Sequence, residues 1–587
     1  MAEPSHSLSI NNVHDSPPSS SPPHSRQKKR GGWRAIKYIL GNESFEKLAS
    51  MSLIANITVY LHTRYNLEGV LLVNVVQIWS GTCNIMTLLG AFLSDAYLGR
   101  FKTLLFGSIA SLLGMVTFTM TAGVSALVPT PCPTAMNCAQ AQNWQLAILF
   151  GGLALLAIGA GGIRPCNIAF GADQFDTTTK KGRAQLESFF NWWYFSFTIA
   201  LVIALTAVVY IQTNVSWVIG FAIPTACLAL SITIFLIGQH TYIYLKPQGS
   251  VFVDIVKVAV AAYHKRKETV DESNWQSCLY DPQIDESRVG SEKLQHTNGL
   301  FTWLDKAALI TNPAEEFDDL GNPKNEWRLC SVQQVEQLKA LLGIVPIWIT
   351  AIGIFLTMDQ QSIFGILQAI QMDKKIGAHF EVPPGWMGLT SMLALSLWIL
   401  VYEQLYIPQA KKFSKKDARM TMRQRINMGI LTSIICMILA GFIEKKRRES
   451  ALQIGSFSSP MWVGWLLPQF ILSGMVEAFG AVAIMEYFTI SLPDTMRTIA
   501  GSIFFLSISI GSYTSSLIVT IVHRLTSWVG NHDLNGDKLE NYYAIIACLA
   551  LVNLIYFNVF GCKYLFPCNK ISNYQEQDDD NSETKHP

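Results

Sequence analysis

Twelve long apolar runs, separated by polar segments, constrain the fold of this chain more than any other feature of its 587 residues. A helix needs about 20 predominantly apolar residues to cross the hydrocarbon core of a bilayer. Runs of that kind lie at 38–62, 70–94, 102–126, 144–170, 187–212, 217–241, 337–369, 385–407, 426–444, 461–489, 498–523 and 540–562. Only 15% of the residues are charged, compared with about 25% in a soluble protein. The pattern predicts an all-α membrane protein with twelve transmembrane helices.

A polar stretch between the sixth and seventh runs divides the chain into two sets of six. We predict a disordered cytoplasmic tail, a six-helix half, a cytoplasmic linker, a second six-helix half and a second cytoplasmic tail at 1–34, 35–244, 245–336, 337–565 and 566–587. Two such halves are typical of the major facilitator fold, in which the substrate binds near the midplane between them. The short segment Asp95–Arg100, with an acid, a Gly and an Arg, is also typical of this fold.

The placement of Lys and Arg predicts the orientation, because loops rich in these residues stay on the cytoplasmic side. Basic residues precede the first run and recur in alternate loops, whereas the connection between the third and fourth runs has none. Both termini and the linker are therefore predicted to be cytoplasmic. One segment, Lys445–Arg448, disagrees: either the ninth run is misjudged or this loop is an exception. A disulfide between Cys132 and Cys138 stays open, since it depends on the loop facing an oxidising space.

Three charged residues at the start of the first run are the clearest candidates for a functional site. Glu43, Glu46 and Lys47 follow an i, i+3, i+4 spacing, so a helix places them on one face. Each would cost about 2.5–3.5 kcal/mol to insert at the centre of a bilayer. The apolar residues after Lys47 are too few to span alone, so some of these charges must enter the membrane zone and face the protein interior.

Two more charges lie deep in apolar runs of opposite halves. Arg164 follows a glycine-rich part of the fourth run, and Glu477 lies in the tenth. A lone buried Arg is prohibitive, so we predict that Arg164 pairs with an acid of the other half, Glu477 being the best match by depth. Such an ion pair would act as a gate, made in one access state and broken in the other.

Further candidates for lining a substrate cavity are Met358, Asp359 and Gln360 in the seventh run, and Trp193 and Tyr194 in the fifth. The aromatic cluster Phe189–Tyr194 is more simply explained as a belt at the membrane interface. A structural reading of the charges, in which they only pin helices together, is weakened by the number of ionisable groups spread over four spans.

Several of these segments resemble the signature motifs of the proton-coupled oligopeptide transporters. The motifs are Glu43-x-x-Glu46-Lys47, Gly161–Cys166, Phe170–Asp176 and Phe189–Tyr194, and the resemblance covers about 34–565. The long linker is similar to that of the plant nitrate/peptide transporter branch. Within that branch, Gly31–Tyr38, Glu43–Leu53 and Lys180–Trp193 look closest to the glucosinolate transporters.

The resemblance implies roles for the charged residues. Glu43 and Glu46 would take part in proton coupling with Lys47, and Arg164 and Glu477 would form the inter-half salt bridge and line the substrate site. Lys47 stands where Arg is commoner, which keeps the charge but loses the bidentate fork. Arg164 stands where many members have Lys, giving a planar donor suited to sulfate or carboxylate. Met358 stands where nitrate-transporting relatives can have His, which weakens nitrate as the main substrate.

The resemblance thus implies a proton-coupled symporter that imports a glycosylated, anionic, glucosinolate-type metabolite across the plasma membrane. Cyanogenic or other glucosides, plant hormones and nitrate stay open as cargo, and a vacuolar membrane stays open as location. The expected partners are protons, a small-molecule substrate and the lipid bilayer, with no nucleic acid and no obligate protein partner.

Two other classes of membrane protein fit the sequence less well. An intramembrane enzyme needs a metal cluster or an activated nucleophile within the bilayer. The eleven His residues lie in tails, loops or ends of runs, so we predict no enzyme activity, no metal and no cofactor. A non-transporting receptor would not need both halves together with the complete set of intramembrane charges.

Overall fold

The structure is a computed structural model that describes residues 31–67, 69–130, 139–176, 179–245, 251–268, 279–282, 301–318, 323–377, 380–413, 419–492 and 496–563. Within these ranges the chain is overwhelmingly helical. Three predicted features lie outside the described residues: positions 1–30 of the tail proposed at 1–34, the tail proposed at 566–587, and the Cys132–Cys138 pair. The end of the first tail was predicted wrongly, because Trp33 and Arg34 already belong to the first helix.

The first half begins with α1 (Trp33–Arg64) and has seven α-helices among the described residues. The others are α2 (Gly69–Leu93), α3 (Arg100–Gly123), α4 (Asn143–Ile163), α5 (Asn167–Ala172), α6 (Lys180–Ile203) and α7 (Trp217–Ile237). Two of these helices, α4 and α5, belong to one membrane span. The polar stretch carries α8 (Val251–His264), α9 (Pro313–Glu316) and α10 (Val332–Gly343). The second half contains α11 (Val345–Gln360), α12 (Ile366–Ile370), α13 (Trp386–Val401), α14 (Ile407–Phe413), α15 (Met422–Ile454), α16 (Leu467–Val476), α17 (Val482–Ser491), α18 (Arg497–Leu525) and α19 (Leu539–Val559).

Eleven helical segments in the described part of the chain are long and apolar enough to cross a membrane. They start at α2, α3, α4, α6, α7, α11, α13, α15, 463, 499 and α19. The twelfth predicted span is α1, which has 32 residues and is therefore about 48 Å long. Its polar and charged residues make the most apolar stretch of α1 less hydrophobic than those of the other eleven segments. Many of these residues are buried inside the protein.

Two glycines near the end of α4 bring that helix against α2 and α3. A Cβ atom on Gly161 would lie 2.7 Å from the Met86 carbonyl oxygen, and one on Gly162 would lie 2.7 Å from the Thr103 carbonyl oxygen. Only a residue without a side chain fits at this backbone distance. This close packing fixes the position of Arg164, which follows immediately.

The basic segment Lys445–Arg448 is part of α15, which runs ten residues past the predicted end at 444. Arg447 is completely buried, donates two hydrogen bonds of 2.8 Å to Glu444 and one of 2.9 Å to Asn535. Arg448 pairs with Glu540 at the start of α19. These two charges are therefore used inside the fold, which explains why they do not follow the loop-charge pattern.

The polar stretch between the halves forms a small helical cluster of its own. Apolar side chains of α8, α10 and the turn Thr302–Ala308 make up its core. Lys339 lies inside it, 2.6 Å from Asp305 and 2.9 Å from Glu336. Because α10 belongs to this cluster, the seventh span begins at Val345 rather than at the predicted residue 337.

A second buried lysine ties α9 to α8. Lys265 lies 2.8 Å from Glu316. Burial raises the pKa of Glu316, but hydrogen bonds from Lys265 and Thr311 outweigh burial and hold that pKa below its usual value. The buried acidic and basic residues of the linker cluster thus pair with one another and stabilise its fold.

Hydrogen bonds and ring contacts join the two halves. Along α2 and α18, Asn74 bonds Thr520 at 3.0 Å and Ser516 at 2.8 Å, and Ser509 bonds the Gly81 carbonyl at 2.8 Å. At the end of the bundle opposite to the termini, the rings of His62 and His532 stack with centroids 4.2 Å apart. The halves are therefore closed against each other at this opposite end.

Short strands cover the same end. β1 (Met372–Asp373) pairs in parallel with β4 (Ser459–Trp462), and β2 (Lys375–Ile376) pairs antiparallel with β3 (Phe380–Glu381). The Glu381 carbonyl accepts a 2.8 Å hydrogen bond from Asn214 of the first half. These strands belong to the closure between the halves.

Candidate functional site: a buried charge cluster in the first half

Glu43, Glu46 and Lys47 lie together on the inner face of α1, as their spacing predicted. The Lys47 Nζ lies 3.4 Å from Glu46 Oε2 and 3.8 Å from Glu43 Oε1. Glu43 is 1% exposed and Glu46 is 6% exposed. One cation therefore faces two buried carboxylates, so the three groups carry one net negative charge when all are ionised. A proton on either carboxylate would neutralise the cluster.

Neighbouring helices complete the surroundings of Glu43. The Asn167 side-chain amide on α5 donates a hydrogen bond to Glu43 Oε2. The indole of Trp193 on α6 faces the same carboxylate, although its nitrogen does not reach hydrogen-bond geometry. Each Glu43 oxygen thus has a different neighbour, the amide on one side and Lys47 on the other.

Arg164 lies close to this cluster, in the turn between α4 and α5. Its Nη1 donates a 3.0 Å hydrogen bond to Asn84 Oδ1 on α2, and its charge acts on Lys47. The cation is half-buried rather than sealed. A guanidinium has five N–H donors, so Arg164 can hold Asn84 and still bind an anionic group.

Glu477 of the second half opens the π-helical segment Glu477–Ala481, which continues α16. Such bulges interrupt the regular helix and are frequent at functional sites. The carboxylate is half-buried. Among the described residues, no ion pair joins Glu477 to Arg164 in this state of the protein, so their predicted salt bridge stays a prediction.

Gln360 and Asp359 lie where the seventh span meets the second half's last helices. Gln360 is completely buried, donates a 2.7 Å hydrogen bond to Ser515 and accepts one of 2.9 Å from Tyr542. Asp359 lies beside Ser512 of α18. Gln77 of α2 also bonds Ser515, so Gln360 belongs to a polar chain that crosses between the halves.

The remaining candidates divide between interior and surface. Trp193 faces the charge cluster, whereas Tyr194 is 67% exposed. Met358 is half-buried and packs against the apolar core of the second half. The exposure of Tyr194 agrees with an interfacial belt, whereas Phe189 of the same aromatic cluster is completely buried.

Two residues of this site escape a sequence-based search. Asn84 and Asn167 are neutral amides inside apolar segments, and each is the direct partner of a charged residue, Arg164 and Glu43 respectively. The only signal available was an amide-bearing residue within an otherwise apolar run, and such residues are common in polytopic membrane proteins.

The fold and the buried charges define a multi-pass membrane transporter built from two six-helix halves. The family model PTR2, described as the POT family, matches residues 101–534. The protein belongs to this family, which consists of transporters and not of enzymes.

Plant relatives place the chain more narrowly. It is 58% identical over 545 residues to "Protein NRT1/ PTR FAMILY 2.8" of Arabidopsis thaliana, covering 92% of this chain and 96% of that protein. It is 43% identical over 542 residues to "Protein NRT1/ PTR FAMILY 2.13" of the same plant, covering 90% and 86%. The chain is therefore a member of the plant nitrate/peptide transporter family, as the motifs indicated.

A solved structure of the family confirms the predicted fold. The POT family transporter PepTSo superposes with a TM-score of 0.63 at 17% identity, over 90% of this chain and 98% of that one. At this identity the likeness concerns the fold alone. The predicted major facilitator fold is confirmed.

Proposed function

We propose that the protein is a proton-coupled symporter that imports a glycosylated, anionic metabolite of the glucosinolate type across the plasma membrane, with both termini cytoplasmic. The observation that carries the proton-coupling part is the buried cluster of Glu43, Glu46 and Lys47, in which one cation faces two carboxylates. Each proton entering down the membrane potential releases about 2.3 kcal/mol per 100 mV. The cluster is the place where this proton is held.

Protonation of one carboxylate would weaken the attraction that holds Lys47. Arg164, whose charge acts on Lys47, would respond to the same event. The proton site and the proposed substrate-binding cation therefore share one electrostatic neighbourhood, which is what coupling of a proton to an anion requires.

The salt bridge between Arg164 and Glu477 is proposed as a gate between the substrate site and the end of the bundle where α1 begins and α19 ends. In an alternating-access cycle one end is closed while the other is open. The contact of His62 with His532 closes the opposite end in this structure. A gate near the termini is then expected to be open, and the unpaired state of Arg164 and Glu477 agrees with that expectation.

Arg164 supports an anionic substrate, because a planar guanidinium binds sulfate or carboxylate oxygens in a bidentate way. A glucosinolate carries a sulfate together with a sugar. Met358 in the seventh span offers no basic side chain for nitrate. Cyanogenic or other glucosides, plant hormones and nitrate are the alternative cargoes, and the same coupling would serve each of them.

An uptake panel in oocytes tests the proposal. Cells expressing the protein and water-injected cells receive a glucosinolate, a cyanogenic glucoside, a plant hormone or nitrate at acidic and at neutral external pH. The proposal predicts that the glucosinolate accumulates most, and more at acidic pH. Preferential uptake of another compound would refute the cargo, and equal uptake at both pH values would refute the coupling.

The same panel tests the different-class alternative, a non-transporting receptor. A receptor would bind a compound at the cell surface without accumulating it. Accumulation of any of the four compounds above the level in water-injected cells excludes that alternative.

A further inference from the structure

The side chain of Asn167 occupies a position between the proton site and the anion site. It is the first residue of α5 and follows Arg164 by three residues, across the turn that separates α4 from α5. It is 3% exposed. A movement of this turn would therefore displace Asn167 and Arg164 together.

Only one of the two polar groups of the Asn167 side chain forms a hydrogen bond to a described residue. Its amide nitrogen donates to Glu43 Oε2. Its amide oxygen is buried and has no hydrogen-bond partner in the described part of the chain. Buried polar atoms are nearly always paired, so an unpaired acceptor beside a proton-binding carboxylate needs an explanation.

An amide is suited to both protonation states of a carboxyl group. An ionised carboxylate can only accept hydrogen bonds, whereas a protonated one also has an O–H to donate. An Asn side chain offers an NH₂ donor in one orientation and, after rotating by half a turn, a carbonyl acceptor in the other. The unpaired Asn167 oxygen is the acceptor that a protonated Glu43 would use.

The other groups around Glu43 cannot do this. On its own helix it faces Lys47 and Glu46, with Arg164 acting on Lys47 from the α4 end. From α6 the indole of Trp193 faces it, and an indole only donates. On α7, Ser231 donates its hydrogen bonds to Asn42, the residue that precedes Glu43.

We propose that Asn167 is a positioning residue that holds the Glu43 carboxyl group in both protonation states and sets the pH at which this group exchanges its proton. The inference rests on the proposed function, which places the coupled proton in the cluster, and it adds that Glu43 is the carboxyl group that binds this proton. In the ionised state the amide donates to Glu43, and in the protonated state it accepts from Glu43.

Infrared titration of the purified protein in lipid tests this without a substrate. The band of protonated Glu43 is the part of the carboxyl signal that Glu43→Gln removes. Asn167→Leu removes a hydrogen bond from both protonation states, but the bond to the ionised carboxylate is the stronger of the two. The midpoint of protonation should therefore rise by about one pH unit. The band should also move to the frequency of a carboxyl group with fewer hydrogen bonds.

Two further variants keep the test decisive if Asn167→Leu folds poorly. Asn167→Ser retains a hydroxyl that donates and accepts, and its midpoint should lie between those of the wild type and Asn167→Leu. Asn56→Leu is the matched control, since it removes another buried amide of the first half, one that bonds Gln212 and Thr213 far from Glu43. It should leave the midpoint unchanged.

The outcomes separate this inference from the proposed function. A midpoint that is identical in the wild type, Asn167→Leu and Asn167→Ser would overturn the role of Asn167 alone. Uptake that keeps its full pH dependence when Glu43→Gln and Glu46→Gln are combined would overturn the proposed coupling. A raised midpoint in the Asn167 variants, with the control unchanged, supports the inference.

Discussion

Arg164 donates one hydrogen bond to Asn84 on α2. Its guanidinium has further N–H donors that can bind an anionic ligand. We predict that Arg164→Lys raises the KM for an anionic glucoside about tenfold, because the ammonium cannot make the bidentate contact. The acid stimulation of uptake should persist, since the charge is kept. Uptake kinetics at matched surface abundance measure both quantities.

A conservative change elsewhere provides the control for this prediction. Arg425 pairs with the half-exposed Glu486 at 2.5 Å, away from the charge cluster, and exposed ion pairs contribute little. Arg425→Lys should leave KM unaltered. An unchanged KM in Arg164→Lys would remove Arg164 from the substrate site.

At this scale the sequence predicted the charged residues but not their neutral partners. The i, i+3, i+4 spacing of Glu43, Glu46 and Lys47 suffices to put them on one face of a helix, and the structure confirms it. The partners Asn84 and Asn167 lie on other helices. Which buried amide meets which charge depends on helix packing, and no local pattern encodes it.

Packing between helices depends on a few glycines, and α4 offers a matched pair for testing this. A Cβ on Gly162 would lie 2.7 Å from the Thr103 carbonyl oxygen, whereas a Cβ on Gly151 would have none of the described residues within 4 Å. We predict that Gly162→Ala lowers the free energy of unfolding by about 1–3 kcal/mol, while Gly151→Ala leaves it unchanged or raises it slightly. Thermal unfolding of the purified proteins measures the difference. Equal stability of the two variants would contradict the packing described for α3 and α4.

The loop before α19 predicts a pH dependence. Asp537 is buried and accepts hydrogen bonds from Gly530 and Asn531. Burial, together with the charge of Glu444, raises the pKa of Asp537 to about 6 against the effect of these hydrogen bonds. A raised pKa in the folded state means that the folded protein binds the proton more tightly than the unfolded chain. The contribution is therefore complete below about pH 4 and lost as the pH rises through about 6.

Asp537→Asn should remove this part of the pH dependence. Melting temperatures of the wild type and the variant, compared at about pH 4 and about pH 7, give the measurement. The wild type should lose more stability than the variant between these values. The same loss in both proteins would show that Asp537 does not contribute.

The helices were easier to predict than their ends. Apolar runs predicted the membrane spans because transfer into lipid dominates their energetics. The helix α10 was merged with the seventh span, because its apolar face continues the run although it packs in the linker cluster. The extension of α15 to Ile454 was missed because its charges look like a loop, and only Glu444, Asn535 and Glu540 make them acceptable there.

At the scale of the whole molecule, the structure holds the two halves together at the end opposite to the termini. The α2–α18 hydrogen bonds and the stacked pair of His62 and His532 contribute to this closure. The sequence predicted two halves and a site between them, but it could not predict which end is closed. That choice depends on small free-energy differences between two packings of the same helices.

The central claim is that the coupled proton is held in the buried charge cluster, on the carboxyl group of Glu43. Counterflow experiments separate this coupling from substrate binding. In proteoliposomes, uptake driven by a pH gradient is compared with exchange of labelled for unlabelled substrate at equal pH, using the compound with the highest uptake in the panel. For Glu43→Gln we predict that driven uptake falls to the level of empty liposomes while exchange continues. Driven uptake at the wild-type rate in Glu43→Gln would contradict the claim.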